Sequence, residues 1–278
     1  MSEPKTAISP EMEALKTKLK ATWSAGDFGQ IAKTTAPEAA EFIKRLELRA
    51  GEKVLDIACG TGNLAIPAAR LRAIVTGIDI APNLIKQARE RAAEEDLQCR
   101  FEEGDAEALA FEDESFDTVV TMFGAMFAPR PDQTAEEMIR VCRKGGRIAM
   151  ANWTPTGFTG QMFKIGATYV PPPPNMPAPV LWGDEQTVRE RLKDGITGLE
   201  FNRRMLTFNF PFPPAEVVAH FRKYFGPTQK AFDVLEADAD KQAALRRDLE
   251  NHWTQNNQAS DGTTRVDAEY LEVTARRA

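Results

Sequence analysis

Apolar segments typical of buried strands alternate with helical patterns from residue 53 to residue 151. The segment Lys53–Ala58 reads as a strand, Cys59–Gly62 as a turn and Leu64–Leu71 as a helix. The same order then repeats, with strands at 74–78, 98–102, 116–122 and 147–151 and helices at 83–95 and 133–143. Strands that alternate with helices form a mostly parallel sheet, because each helix carries the chain back across the sheet. The sequence therefore predicts an α/β fold.

Helical patterns also flank this region. Pro10 begins a helix that runs towards Trp23, and Pro37 begins a second helix with apolar residues at helical spacing. After Trp153, the run Pro171–Pro174 predicts a stiff, extended connection. Further patterns predict a helix at 185–192, a strand at 199–210, helices at 214–225 and 239–253, and a strand at 268–275. If the last two strands pair, the helices between them form a candidate lid over the sheet edge at which open α/β sheets bind ligands.

Two glycines lie in the turn after the first strand. Gly60 and Gly62 leave room for the backbone to approach a bound ligand. The segment Gly60–Ala65 matches the G-x-G-x-x-A pattern of dinucleotide-binding proteins, and Asp79 follows about 20 residues later, where those proteins carry an acidic ribose-binding residue. The turn alone therefore allows a nicotinamide-dependent oxidoreductase as well as other nucleotide-binding enzymes.

The strand and turn together, Val54–Gly62, resemble the first motif of class I S-adenosylmethionine-dependent methyltransferases. Asp56 discriminates between the two cofactors, because the resemblance implies that its carboxylate helps to hold the cationic amino group of the methionine moiety. A carboxylate there would repel the pyrophosphate of a nicotinamide dinucleotide. The resemblance implies a doubly wound, Rossmann-like, seven-stranded sheet with an N-terminal helical lid and a helical insertion between the last two strands.

Further motifs follow in the order of that family. Gly77–Ala81 resembles the second motif, which implies that Asp79 accepts hydrogen bonds from both ribose hydroxyls. Gly104–Ala106 resembles the third motif, which implies that Asp105 lies near the adenine amino group. Asp113–Val120 and Val141–Met150 resemble the fourth strand and the turn into the fifth. Hydroxyls and an amine donate hydrogen bonds, so carboxylates suit these roles. Taken singly, each aspartate is better explained as a turn residue or a helix cap, and only the three together, at the ends of successive strands, favour cofactor binding.

The resemblance covers about residues 35–155. Within the family, the chain is most similar to the small-molecule branch that includes quinone-ring methyltransferases. The resemblance implies a cofactor-binding core at 45–155, preceded by the lid at 1–44 and followed at 156–278 by substrate-covering helices and the last strands. The cofactor-binding residues implied are Asp56, Ala58, Gly60, Thr61, Gly62, Asp79, Ile80, Asp105, Ala106 and Phe123.

Aromatic residues outside these motifs are candidates for an acceptor pocket. Trp23 and Phe28 lie in the region that resembles the family's lid. Phe127 follows the fourth strand, and Trp153 lies at the carboxyl end of the fifth strand. Each of them is also compatible with plain core packing. His220 lies on a predicted lid helix and is a candidate general base, although a structural role is the alternative. Nucleobase amino-methylating relatives carry Asn or Asp before Pro-Pro-aromatic after the fourth strand, and Thr121–Phe127 lacks that tetrapeptide.

Composition and charge limit the kinds of molecule that the protein is expected to bind. The net charge of −6 has the wrong sign for a protein that binds nucleic acid by neutralising phosphates. Three cysteines and two histidines show no metal-ligand spacing, so we expect no metal. No segment reads as a signal peptide or a membrane span, which predicts a cytoplasmic protein, and the oligomeric state cannot be read from the sequence.

These features predict methyl transfer from S-adenosylmethionine to a small-molecule acceptor, with S-adenosylhomocysteine as the product. The acceptor atom is an oxygen, nitrogen, sulfur or carbon nucleophile, and a hydrophobic phenol or quinol competes with a small thiol, amine or acid. Two alternatives stay open. One is a protein that binds the cofactor without catalysing transfer, and the other is a nicotinamide-dependent oxidoreductase.

Overall fold

A single seven-stranded sheet organises the chain in a computed structural model that describes residues 8–173 and 176–278. Its strands are β1 (Lys53–Ile57), β2 (Ile74–Asp79), β3 (Cys99–Glu103), β4 (Phe116–Met122), β5 (Cys142–Trp153), β6 (Ile196–Phe210) and β7 (Thr264–Arg277). They lie in the order β3-β2-β1-β4-β5-β7-β6, and β7 runs in the direction opposite to the other six strands. The predicted doubly wound, Rossmann-like α/β fold with a mostly parallel sheet is confirmed.

Helices precede the sheet, connect its strands and fill the long connection between β6 and β7. In the described residues they are α1 (Pro10–Ser24), α2 (Gly29–Arg45), α3 (Ala65–Arg70), α4 (Pro82–Glu94), α5 (Pro131–Val141), α6 (Phe158–Tyr169), α7 (Glu185–Leu192), α8 (Pro214–Tyr224), α9 (Gly226–Val234) and α10 (Ala239–Asn256). Short 3-10 helices span Ala125–Phe127 and Pro179–Gly183. The insertion between the last two strands therefore consists of α8, α9 and α10, which confirms the predicted helical insertion.

The two central strands bring the functional turns together. β1 pairs in parallel with β2 on one side and β4 on the other. Its residues Val54, Leu55 and Ile57 are fully buried, as expected for a strand covered by helices on both faces. Because parallel strands share one direction, the segments that follow β1, β2, β3, β4 and β5 meet at the same edge of the sheet.

Two helical predictions need correction. α2 begins at Gly29, not at Pro37, which lies inside the helix. Proline removes one helical hydrogen bond, but burial of Ile31, Phe42 and Ile43 along one face favours a continuous helix. The segment after Trp153 is not only a connection, because α6 starts at Phe158.

The proline run follows α6, and residues 171–173 form no helix or strand there. Pro174 lies outside the described residues, as do residues 1–7 of the predicted lid. Helix α9 was also not predicted from the sequence. In the part of the chain that the structure describes, no helix combines the length and apolar character needed to cross a membrane.

Candidate functional site

The turn after β1 has an unusual backbone. Ala58, Gly60 and Gly62 all have positive φ angles, of 54°, 53° and 83°. A Cβ atom at Gly62 would lie 3.3 Å from both Ile66 and Phe101, so a side chain would be strained in conformation and crowded in space. Ala58 adopts the same left-handed conformation without the freedom of glycine, a strain that characteristically accompanies ligand sites.

Asp56 lies buried beneath this turn. Its Oδ2 accepts a hydrogen bond of 3.1 Å from the Ala65 amide at the start of α3, and 1% of the residue is exposed. Burial raises the pKa of this carboxyl well above its usual range, and the nearby charge of Asp79 raises it further. A cationic group next to Asp56 would offset both effects.

Asp79 ties the end of β2 to the glycine turn. Its Oδ2 accepts from the Gly60 amide at 2.8 Å, and its Oδ1 accepts from the Ala81 amide at 2.9 Å. Burial raises the pKa of Asp79, while these amide donors oppose the shift. Each carboxylate oxygen retains a second lone pair, so the group can accept further hydrogen bonds from the cavity side.

Asp105 follows β3 and is bound by the N-terminal helix. Its Oδ1 accepts from the Glu107 amide at 2.9 Å, and its Oδ2 lies 2.5 Å from Nζ of Lys16. Lys16 Nζ lies equally close to Oε2 of the buried Glu107, whose carboxylate also accepts from Arg130. Helix α1 is thus fastened to the end of β3 by a lysine shared between two carboxylates.

Arg91 supports the glycine turn from α4, although it belongs to none of the sequence motifs. Its Nη1 donates to the Thr61 carbonyl at 2.6 Å, to Thr61 Oγ1 at 3.0 Å and to Asn63 Oδ1 at 2.9 Å. Asn63 Nδ2 in turn donates to the Ala32 carbonyl in α2. The turn is therefore held by contacts with two helices that lie far from it in sequence.

One cavity covers this edge of the sheet and has two chemically distinct halves. The first, termed the carboxylate half, consists of the glycine turn with Asp56, Asp79 and Asp105. The second, termed the aromatic half, is formed by Trp23, Phe28, Phe127, Trp153, Phe163 and Phe225 together with Met162, Phe208 and Phe221.

The rings of the aromatic half contact one another across several elements. The Trp23 indole from α1 lies 4.9 Å from the Phe127 ring, 5.7 Å from Phe28 and 5.8 Å from Phe225, measured between centroids. Phe163 from α6 continues the cluster, at 5.8 Å from Phe127 and 6.3 Å from Phe225. Helices α1, α6 and α8 thus close this half of the cavity with aromatic surface.

Phe123 lies at the junction of the two halves. It follows β4 with a φ of 59°, and its amide donates to the Ala151 carbonyl at 2.8 Å. Its ring stacks on Trp153 with centroids 3.7 Å apart and planes 5° from parallel. A Cβ on the next residue, Gly124, would lie 2.5 Å from the Ala58 carbonyl oxygen, so this strained segment also packs against the glycine turn and holds Phe123 between the turn and the aromatic cluster.

The cavity brings together most of the residues that the sequence singled out. It is lined by Asp56, Ala58, Gly60, Thr61, Asp79, Ile80, Asp105, Ala106, Phe123, Trp23, Phe28, Phe127 and Trp153. Gly62 lies behind the turn instead of in the lining. Many of the other lining side chains come from α1, α2, α6, β6 and α8, where sequence patterns indicate an apolar face but not what it covers, and most of the rest lie in or next to the predicted motifs.

His220 does not reach the cavity. Its ring lies 4.8 Å from Tyr224, 5.6 Å from Phe212 and 5.7 Å from Phe210, and burial lowers its pKa. Phe221, the next residue on α8, lines the cavity instead. The arrangement is that of a packed histidine and not of a general base at the site.

Cys59, in the glycine turn, does not have the surroundings of a reactive thiol. It is buried, and burial together with Asp56 and Asp79 raises the pKa of its thiol well above its usual range. Among the described residues, no three His, Cys, Asp or Glu side chains are grouped as metal ligands.

Comparison with known proteins identifies the fold and the chemistry. Residues 54–146 match the family model described as a methyltransferase domain. The chain is 36% identical over 269 residues to the uncharacterised Mycobacterium tuberculosis protein Rv1403c, and the match covers 96% of this chain and 97% of that protein. It is also 36% identical over 146 residues to a phosphatidylethanolamine N-methyltransferase of Cereibacter sphaeroides, covering 51% of this chain and 69% of that protein.

A solved structure of Haemonchus contortus phosphoethanolamine N-methyltransferase 2 in complex with S-adenosyl-L-methionine has the same fold. It superposes with a TM-score of 0.56 at 18% identity, covering 87% of this chain and 52% of that chain.

Proposed function

The chain belongs to the class I S-adenosylmethionine-dependent methyltransferases, and on that premise we propose that it methylates a small aromatic acceptor of the phenol or quinol class. The observation that supports this acceptor is the continuity of the cavity. The carboxylate half opens directly into the aromatic half, with Phe123 at the junction. A methyl donor in the first half would therefore face an apolar, ring-shaped space in the second.

The carboxylate half fits S-adenosylmethionine in shape and charge. A Cβ built on Gly60 meets no atom nearer than Phe28 Cε1 at 4.0 Å, so the backbone there faces open cavity. Asp56 would accept from the cationic amino group, Asp79 from the ribose hydroxyls and Asp105 from the adenine amino group. Asp56 is suited to a cationic ligand because its ionised form is otherwise destabilised by burial, which raises its pKa.

The aromatic half favours an apolar acceptor over a phosphorylated one. Phosphate groups are bound by arginine, lysine or helix amides. Among the described residues that line the cavity, Lys16 is the one cationic side chain, and its ammonium group already contacts two carboxylates. The relative from Cereibacter sphaeroides is named for a phospholipid acceptor, whereas the described lining of this cavity offers no free cation to a phosphate.

Bound S-adenosylmethionine supplies an activated methyl group, so the chain mainly aligns the acceptor and excludes water. Trp23 and Phe28 would exclude water from the N-terminal side, and Phe163 and Phe225 from the side of the later helices. No histidine or carboxylate lines the aromatic half in the described chain. We therefore propose that a phenol or quinol acceptor loses its proton to solvent before it binds, and that the phenolate oxygen then takes the methyl group from the sulfonium.

This arrangement suggests which segments of the chain bind the cofactor and which cover the acceptor. We propose that residues 45–155 bind the cofactor, while helices from 1–44 and 156–278 cover the acceptor. Phe225, after α8, supports this division, because its ring contacts both Trp23 in α1 and Phe163 in α6.

Transfer of radiolabelled methyl from S-adenosylmethionine to a mixed acceptor panel and a cell extract tests the proposal. Label that enters the organic phase with phenols and quinols is the expected result. Label found only in water-soluble products would contradict an aromatic acceptor. If S-adenosylhomocysteine binds but no acceptor is labelled, the protein is a silent binder of the cofactor.

A matched pair of variants then tests the position of the acceptor. Phe163→Ala is expected to raise the KM for the acceptor about tenfold and to leave the Kd for S-adenosylhomocysteine unchanged, because one ring of the aromatic half is lost. Phe111→Ala serves as the control, since Phe111 packs on Phe116 with centroids 5.1 Å apart, outside the cavity. Equal effects of the two variants would indicate general loss of stability.

A further inference from the structure

Thr159 carries an unusual hydroxyl group in the wall of the cavity. The residue is 3% exposed, lines the cavity and lies in the first turn of α6. Its Oγ1 is buried and has no hydrogen-bond partner among the described protein groups. A buried hydroxyl without a partner costs free energy, so an arrangement of this kind calls for a ligand atom or another explanation.

The other polar side chains of the cavity differ from Thr159 in this respect. Asp56, Asp79 and Asp105 accept from backbone amides, and Thr61 and Asn63 accept from Arg91. Thr35 and Lys16 are hydrogen-bonded as well. Among the described residues lining the cavity, the Thr159 hydroxyl is thus the buried side-chain group without a protein partner.

The position of Thr159 assigns it to the aromatic half. Residues three and four apart share one face of a helix, and Thr159, Met162 and Phe163 all line the cavity from α6. Phe163 contacts Phe127 and Phe225 in the aromatic cluster. Thr159 therefore belongs to a part of the cavity wall that is otherwise formed by thioether and ring groups.

The first turn of α6 is held closely against the end of β5, which fixes the position of the Thr159 backbone in the cavity wall. A Cβ at Gly160 would lie 2.2 Å from the Thr154 carbonyl oxygen, which shows how closely the helix packs against the end of β5. His252 contributes from α10, with Nε2 at 2.9 Å from the Phe158 carbonyl and its ring stacked on Phe158. The N-cap residue of α6, Gly157, offers no side-chain cap, and the helix dipole favours an electronegative atom nearby.

We propose that Thr159 is the specificity-determining residue that hydrogen-bonds an oxygen substituent of the aromatic acceptor. The inference rests on the proposed function and adds to it that the acceptor must carry a hydroxyl or carbonyl oxygen near α6. A threonine hydroxyl both donates and accepts, so it can bind either oxygen type. It positions the ring and takes no part in bond making, because no proton or electron pair has to pass through it.

A cycle of two variants and two probes tests this role. The complex with S-adenosylhomocysteine is titrated with 2-naphthol and with naphthalene, which differ by one hydroxyl. Thr159→Val removes the hydroxyl at nearly constant volume, and we expect it to reduce the preference for 2-naphthol over naphthalene about tenfold. Thr159→Ser keeps a hydroxyl and should keep most of the preference.

The outcomes separate this inference from the proposed function. If both probes bind the wild type and Thr159→Val changes their affinities equally, the role of Thr159 is overturned while the aromatic acceptor stands. If neither probe binds although S-adenosylhomocysteine does, the aromatic acceptor itself is wrong, and the inference fails with it.

Thermal unfolding of the ligand-free protein provides an independent measurement. If the hydroxyl has no partner in the protein, Thr159→Val removes a desolvation cost and should raise the Tm by about 2 °C. A fall in Tm of several degrees would mean that the hydroxyl has a structural partner and that its role is to hold α6. In that case the proposed recognition role is overturned.

Discussion

The ammonium group of Lys16 lies 2.5 Å from Asp105 Oδ2 and so connects the N-terminal helix to the strand end that carries the third motif. The same group lies 2.5 Å from Oε2 of Glu107, whose side chain is fully buried. One lysine in α1 therefore helps to determine whether the helix that carries Trp23 stays closed over the cavity.

Lys16→Met is expected to loosen α1. Hydrogen bonds to partly buried charges are worth about 1.5–3 kcal/mol, so we expect dissociation of S-adenosylhomocysteine to become roughly tenfold faster and limited proteolysis within α1 to accelerate. Lys20→Met is the matched control, because the Lys20–Glu103 pair is about half exposed and such pairs contribute little. Equal behaviour of the two variants in stopped-flow and proteolysis experiments would refute the role of Lys16.

Asp79→Asn is expected to weaken binding of S-adenosylhomocysteine roughly 100-fold in calorimetric titration. The amide would direct an N–H group towards the Gly60 or Ala81 amide and would lose an acceptor for the ribose hydroxyls. Asp117→Asn provides a control at the opposite end of the sheet, where Asp117 binds Arg143 and the Lys53 amide. The control should lower stability without changing the Kd, and a similar loss of affinity in both variants would contradict a direct role for Asp79.

Asp56 makes the stability of the ligand-free protein depend on pH. Its pKa is raised in the folded chain by burial and by Asp79, so folding favours the protonated carboxyl. The resulting stabilisation is fully present below the usual pKa of 3.8 and is lost as the pH rises through the raised value. Asp56→Asn should therefore have a higher Tm than the wild type at pH 8 and no advantage near pH 3. An advantage that is constant across this range would show that the Asp56 pKa is not raised.

His220→Gln is expected to leave the turnover rate nearly unchanged, within about twofold, when rates are corrected for the folded fraction. The imidazole packs among Phe210, Phe212 and Tyr224, and the residue does not line the cavity. The pH dependence of the rate should instead follow the pKa of the acceptor and shift when the acceptor is exchanged. If the turnover rate fell about 100-fold while KM stayed the same, His220 would be identified as the base.

The parallel core of the fold could be predicted because each of its strands and helices has a recognisable pattern within a short stretch of sequence. A strand buried on both faces, such as Lys53–Ile57, reads as a continuous apolar run, and a helix follows each turn. The start of α2 was missed because proline is unfavourable in isolated helices, whereas burial of Ile31 and Phe42 outweighs that preference here. Helix α6 is not predicted, because the proline run beyond it favours an extended connection after Trp153.

The site was predictable to the extent that its residues follow strands. Asp56, Asp79 and Asp105 lie at or near the ends of β1, β2 and β3, and the order of parallel strands brings their side chains to one edge. The contributions of Lys16 and Arg91 depend on how α1 and α4 pack on that edge. The spacing of apolar residues along a helix does not indicate which residues far away in sequence its polar side chains contact. His220 illustrates the same limit, since its neighbour Phe221 faces the cavity and the sequence does not indicate which of the two does so.

A crystal structure of the complex with S-adenosylhomocysteine and 2-naphthol would test the central claim most directly. We predict that the thioether lies beside Phe123, that the naphthol ring lies among Trp23, Phe127 and Phe163, and that its oxygen lies within hydrogen-bond distance of Thr159 Oγ1. A cofactor that occupies the aromatic half, or a naphthol ring bound outside the cavity, would contradict the proposed division of the cavity between donor and acceptor.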